Sequence, residues 1–127
     1  MSVPLDITFH GLDRSEAVET RVREKFAKLE RYFDRITSAR VVIEAAQRNS
    51  EKVKVVGVKI EVGVPGHKPL IVSHEREAAH AHDDVLLALR DAFEIAQRQV
   101  DAAARKISER TRSERGRRRP RAAVEES

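Results

Sequence analysis

Strict alternation in the middle of the chain is its strongest constraint. Val56, Val58, Ile60, Val62 and Val64 recur at every second residue, with Gly57, Lys59, Glu61 and Gly63 between them. A period of two puts all five branched side chains on one face of an extended strand. A strand cannot cover its own apolar face, so other segments must form a layer against it.

Those segments are recognisable by a change of period. Val3, Leu5, Ile7 and Phe9 alternate with Pro4, Asp6, Thr8 and His10, which predicts a half-buried strand ended by Gly11. Asp13 or Ser15 is placed to cap a helix, and Asp13 has Glu16 at capping-box spacing. Val18, Val22, Phe26 or Leu29, and Phe33 then recur at 3.6 spacing, so a helix is predicted over Glu16–Phe33. A second strand is predicted over Ser38–Ala45, with Val41 and Ile43 opposite Arg40, Val42 and Glu44. The polar turn AQRNSEK leads into a third strand, Val53–Val64, and PGHKP turns it into a fourth, Leu70–Glu75. The last helix is capped by Asp83 or Asp84. Its stripe is Val85, Leu89, Ala92, Phe93, Ala96, Val100, Ala103 and Ile107.

The hairpins make strands two, three and four antiparallel. The helix between strands one and two makes that pair a right-handed parallel crossover by default. The expected fold is α+β, β-α-β-β-β-α: a two-layer sandwich with a four-stranded mixed sheet and both helices on one face. Apolar repetition stops after Ser108, where charge runs, Gly116 and Pro120 follow. The expected division is a domain over residues 1–108 and a disordered basic tail over 109–127.

Composition removes several function classes. The 127 residues contain no Cys, so disulfides, Cys-based zinc sites and thiol nucleophiles are excluded. No apolar run reaches about 18 residues, which argues against a membrane span. MSVPLDITFHG lacks the basic and apolar regions of a signal peptide, and the absence of Cys fits a reducing compartment, so a cytoplasmic location is the expectation. No P-loop, G-x-S-x-G or G-x-G-x-x-G is present, and no carboxylate pair stands out among 21 acids. A non-enzymatic role is therefore expected, with no small-molecule substrate and no cofactor.

The net charge is +4, but it is unevenly spread. Residues 105–127 carry nine bases against four acids, and the other 104 residues carry sixteen against seventeen. An anion-binding body must therefore segregate its charges onto one face. The first helix does so. Arg21, Lys25, Lys28 and Tyr32 lie at i, i+4, i+7 and i+11, with Arg31 and Arg35 at the edge of that face. Arg90, Arg98 and Arg105 fall on one side of the second helix. Side-by-side helices would bring the two stripes together as a phosphate-binding ladder, giving Arg21, Lys25, Lys28, Arg31, Arg90, Arg98 and Arg105 as candidate RNA-binding residues. The plainer alternative is a solvated face of local ion pairs such as Arg21 with Glu24. Arg117, Arg118, Arg119 and Arg121 in the tail would add affinity blind to sequence.

His74, His80 and His82, near Glu75, Asp83 and Asp84, match no zinc spacing. Acids at the start of a helix complement its dipole, so capping and loop packing are expected here and no metal.

Three stretches in order carry a resemblance. LDITFHGLDRSEAV opens the chain. Lys28-Leu29-Glu30-Arg31-Tyr32-Phe33 ends the first helix, and Arg35-Ile36-Thr37-Ser38-Ala39 enters the next strand. His82-Asp83-Asp84-Val85-Leu86-Leu87-Ala88-Leu89-Arg90 opens the second helix, followed by Arg98-Gln99-Val100. Over Leu5–Ile107 the chain resembles the short ribosome hibernation-promoting factors, the family that includes ribosome-associated inhibitor A and the sigma-54 modulation proteins. It departs from that pattern at Leu86, where the family has Tyr, and at Ile95, where a relative commonly has a base.

The resemblance implies a ribosome-associated translation inhibitor. It would bind small-subunit rRNA and occlude the mRNA and tRNA channel during stress or stationary phase. It implies basic helix residues turned toward rRNA, with Lys25, Lys28, Arg31 and Arg98 at matching positions. The partner would be the small ribosomal subunit, with no membrane, and the free protein would be monomeric. Two alternatives stand beside this reading: a generic double-stranded-RNA-binding module, whose order would be α-β-β-β-α, and a protein–protein regulator of a transcription factor.

Overall fold

The computed structural model describes residues 3–48, 53–78 and 81–123, with side chains described over 3–46, 54–78 and 83–107. The elements are β1 (Leu5–His10), α1 (Glu16–Tyr32), β2 (Ser38–Arg48), β3 (Val53–Gly63), β4 (Leu70–Glu77) and α2 (Ala81–Ala123). The sheet order is β1-β2-β3-β4. β1 pairs parallel with β2, with Ile7 opposite Val41, and the remaining neighbours are antiparallel. This is the expected β-α-β-β-β-α mixed sheet. A strand paired into the sheet ahead of the first helix separates it from the α-β-β-β-α module.

The alternation does what its period requires. Ile7, Ala39, Val41, Ile43, Val56, Val58, Ile60, Val62 and Val72 are buried on one sheet face. Asp6, Arg40, Glu44, Lys59 and Glu75, from the intervening positions, are exposed on the other. Both helices cover the apolar face: α1 inserts Val18, Val22, Phe26 and Leu29, and α2 inserts Val85, Leu89, Phe93, Ala96 and Val100. Burying a Val or Leu of this kind stabilises by roughly 1.5–3 kcal/mol, so the helix stripes are held by packing more than by helix propensity.

The cap of α1 is Ser15 rather than Asp13: its Oγ accepts the Val18 N–H at 3.3 Å. Glu16 and Glu19 in the first turn suit the positive end of the helix dipole. Gly11, at φ +77°, makes the turn ahead of it, where a Cβ would lie 2.1 Å from the Ala45 carbonyl oxygen. That position therefore accepts glycine alone.

The bounds of α2 differ from expectation at both ends. It begins at Ala81, so Asp83 and Asp84 lie in its first turn rather than at its cap. Asp84 is buried and accepts a 2.9 Å hydrogen bond from Arg76 Nε on β4, a tertiary partner that sequence position does not reveal. At the other end the backbone stays helical to Ala123, past Ser108. Arg, Glu and Ala make up eleven of the fifteen residues from Glu109 to Ala123 and are good helix formers, so loss of the apolar stripe does not itself end the helix. The described core ends earlier, at Ala103, with Ile107 half-buried.

Candidate nucleic-acid interface

α1 and α2 pack side by side on the sheet. The basic stripe of α1 borders its buried stripe, so it meets α2 along the seam. A cleft of about 150 Å³ opens there, lined by Lys25, Lys28 and Leu29 from α1 and by Arg90, Phe93, Glu94 and Gln97 from α2. Leu29 and Phe93 are buried and form its floor.

The charges in the seam act on one another. Lys25 is half-buried, and its pKa is lowered from the usual lysine value chiefly by that burial. The cations Lys28, Arg21 and Arg90 push in the same direction, and the Glu94 carboxylate opposes them. Lys25 and three further cations thus share one locality, which is the segregation that a nearly neutral body needs to attract an anion. Arg90 is held from behind: its Nε and Nη2 donate to Asp91 Oδ1 at 3.2 and 3.1 Å.

The candidate residues do not all converge. Lys25, Lys28 and Arg90 line the cleft, and Arg21 stands within electrostatic reach of Lys25. Arg21 Nε also lies 3.5 Å from Glu24 Oε1, so the local-pair alternative applies to that residue in part. Arg31, Arg98 and Arg105 are exposed and do not line the cleft. The side chains of Arg117, Arg118, Arg119 and Arg121 lie outside the described residues. Tyr32, one turn beyond Lys28, is 57% exposed.

The histidines are not brought together as a site. His74 Nε2 lies 3.5 Å from Asp91 Oδ2. His80 and the side chain of His82 are outside the described residues. Among the described residues no group of three or more metal-ligating side chains is gathered. Among them, too, no helix is long and apolar enough to cross a membrane.

The family model of the sigma 54 modulation protein / S30EA ribosomal protein matches residues 5–108. The chain belongs to that family. A ribosome hibernation promoting factor from Azotobacter vinelandii is 46% identical to it over 39 residues, which are 31% of this chain and 36% of that relative. The match thus spans about a third of the relative's length. The fold is shared with the N-terminal domain of Thermus thermophilus Protein Y, at 24% identity and a TM-score of 0.61 over 79% of this chain and 98% of that one. It is shared too with a ribosomal subunit interface protein from Coxiella burnetii, at 17% identity and a TM-score of 0.64 over 80% and 98%.

Two residues lining the cleft of this S30EA-family protein escape a reading of the sequence: Glu94 and Gln97. The helix wheel of α2 places them near Arg90. What neither helix wheel contains is the register of α2 against α1, which sets them across from Lys25 and Lys28.

Proposed function

We propose that this protein binds the small ribosomal subunit through rRNA and blocks translation by occupying the mRNA and tRNA channel during stress or stationary phase. The observation that carries the reading is the seam where Lys25, Lys28, Arg21 and Arg90 meet on a domain whose total charge is nearly neutral. Such a ladder suits a phosphate backbone, and its affinity is salt-dependent. Arg31, Arg98 and Arg105 extend the contact beyond the cleft, and Arg117, Arg118, Arg119 and Arg121 add to it without specifying a site.

The family and the hibernation factor from Azotobacter vinelandii support the ribosome as partner. The mechanism is steric and needs no catalysis or cofactor. The ribosome-binding domain is residues 1–108, the protein is monomeric when free, and it works in the cytoplasm.

Co-sedimentation with ribosomes at two salt concentrations tests this. Intact protein is expected in the small-subunit and ribosome fractions at low salt, with less at high salt. The folded variant K25Q/K28Q/R31Q is expected to stay at the top of the gradient. Unchanged co-sedimentation of that variant would overturn the rRNA face. Binding with no salt dependence would instead favour a protein partner.

A further inference from the structure

The interhelical cleft is not a plain phosphate site. Glu94 sits in its wall, and a carboxylate repels phosphate. Gln97 lies one turn further along α2 on the same wall, and the floor of Leu29 and Phe93 is apolar. A site for backbone alone would need only the cations. A carboxylate acceptor and an amide over an apolar floor are instead the groups that read the edge of a base. The volume of about 150 Å³ matches about five waters, the size of one inserted group rather than a helical groove.

Tyr32 points the same way by a separate observation. It is an exposed aromatic at i+4 from Lys28, on the basic stripe itself. An exposed ring beside cations stacks on an unpaired base, whereas bases inside a duplex are already stacked.

We infer that the cleft between α1 and α2 holds one unpaired nucleotide of an RNA strand, its phosphate on Lys25, Lys28 and Arg90 and the edge of its base on Glu94 and Gln97. A neighbouring unpaired base stacks on Tyr32. The inference rests on the nucleic-acid reading above and narrows it to single-stranded segments. It also carries a base preference. The Glu94 carboxylate accepts from the amino group of cytosine, while uracil presents a carbonyl at that place and two acceptors would face each other.

Fluorescence anisotropy with the full chain and labelled RNA tests it. The probes are oligo(C), oligo(U) and a perfectly paired hairpin of equal charge. Oligo(C) is expected to bind at least about fivefold more tightly than oligo(U), the low end of what one base contact discriminates. It should also bind more tightly than the hairpin. Glu94→Ala, at an exposed position, should abolish the preference without weakening oligo(U). Tyr32→Ala should weaken both single strands and leave the hairpin unchanged. Equal binding of the two oligonucleotides, a preference that survives Glu94→Ala, or a hairpin bound as tightly as oligo(C) would each overturn the inference. If K25Q/K28Q/R31Q loses ribosomes while the oligonucleotides bind equally, the cleft assignment fails and the ribosomal reading stands. If that variant keeps ribosomes, the ribosomal reading itself fails.

Discussion

The two faces of this domain carry charge in different ways. On the open sheet face cations stand among acids. Arg40 lies in register between Asp6 and Glu61, with its Nε 3.6 Å from Asp6 Oδ2, and Glu44, Glu75 and Glu77 share that surface. On the helix face Lys25, Lys28, Arg21 and Arg90 come together along one seam. There Glu24 pairs with Arg21, Asp91 holds Arg90 and Glu94 stands in the cleft wall, while among the described residues neither lysine has an ion pair. Cross-strand neighbours are fixed by register and pair readily across the sheet. Two packed helices instead let like charges from separate elements accumulate. The lesson is that total charge says little here: almost equal numbers of acids and bases over the whole domain make one acidic sheet face and one cationic seam.

The comparison breaks most visibly if the faces are neutralised separately. K25Q/K28Q/R31Q should lower ribosome affinity by more than tenfold at low salt. With three phosphate partners removed, the log–log salt slope should flatten by about 2–3. R40Q/K59Q on the sheet face should leave both quantities unchanged in the same co-sedimentation series. Equal losses from the two variants would mean that charge acts globally and the seam has no special role.

The next largest effect concerns the layer both faces share. Leu89 is fully buried beneath α2. Leu89→Ala should destabilise the fold by about 2–5 kcal/mol in urea unfolding, through reduced burial and a cavity. The sheet-face variant should stay within about 0.5 kcal/mol of wild type, as exposed substitutions usually do.

How much of this was legible depends on where the information resides. The buried faces of β2 and β3 follow from a period of two, and the α1 and α2 stripes from a period of 3.6, because burial acts residue by residue along one element. Strand ends were less legible. β2 runs to Arg48 and β4 to Glu77 because an antiparallel ladder is held by backbone hydrogen bonds that polar residues also make. The roles of Glu94 and Gln97 were not legible, since they arise from the fit of one helix against another.

Removing residues 109–127 sharpens the comparison more gently. The described core ends at Ala103 with Ile107 half-buried, so the truncated domain should keep its melting temperature in calorimetry. The salt slope should fall by roughly 0.7–0.9 for every phosphate that the tail no longer neutralises, while specific docking persists.

The smallest effect is a titration. Burial lowers the Lys25 pKa below its usual value. Between the folded and unfolded values the unfolded chain therefore binds more protons, so this group's contribution makes stability rise with pH in that alkaline window. Over the same window the seam loses a cation, so RNA affinity should fall slightly. NMR titration of the lysine side chains should show Lys25 deprotonating at lower pH than its value in the unfolded chain, and Lys25→Gln should remove its share of the drop in affinity.

The parallel pairing of β1 with β2 has a consequence in time. Leu5 pairs with Ala39, 34 residues later, whereas only four residues separate β2 from β3 and six separate β3 from β4. A chain made from its N-terminus leaves β1 without a partner until α1 and β2 have both followed it. The loop that closes the pair is long, and such non-local pairing is slow compared with a hairpin. Of this sheet's strands the first synthesised is thus among the last to be placed, and until it is, β2 with Val41 and Ile43 remains an open edge strand.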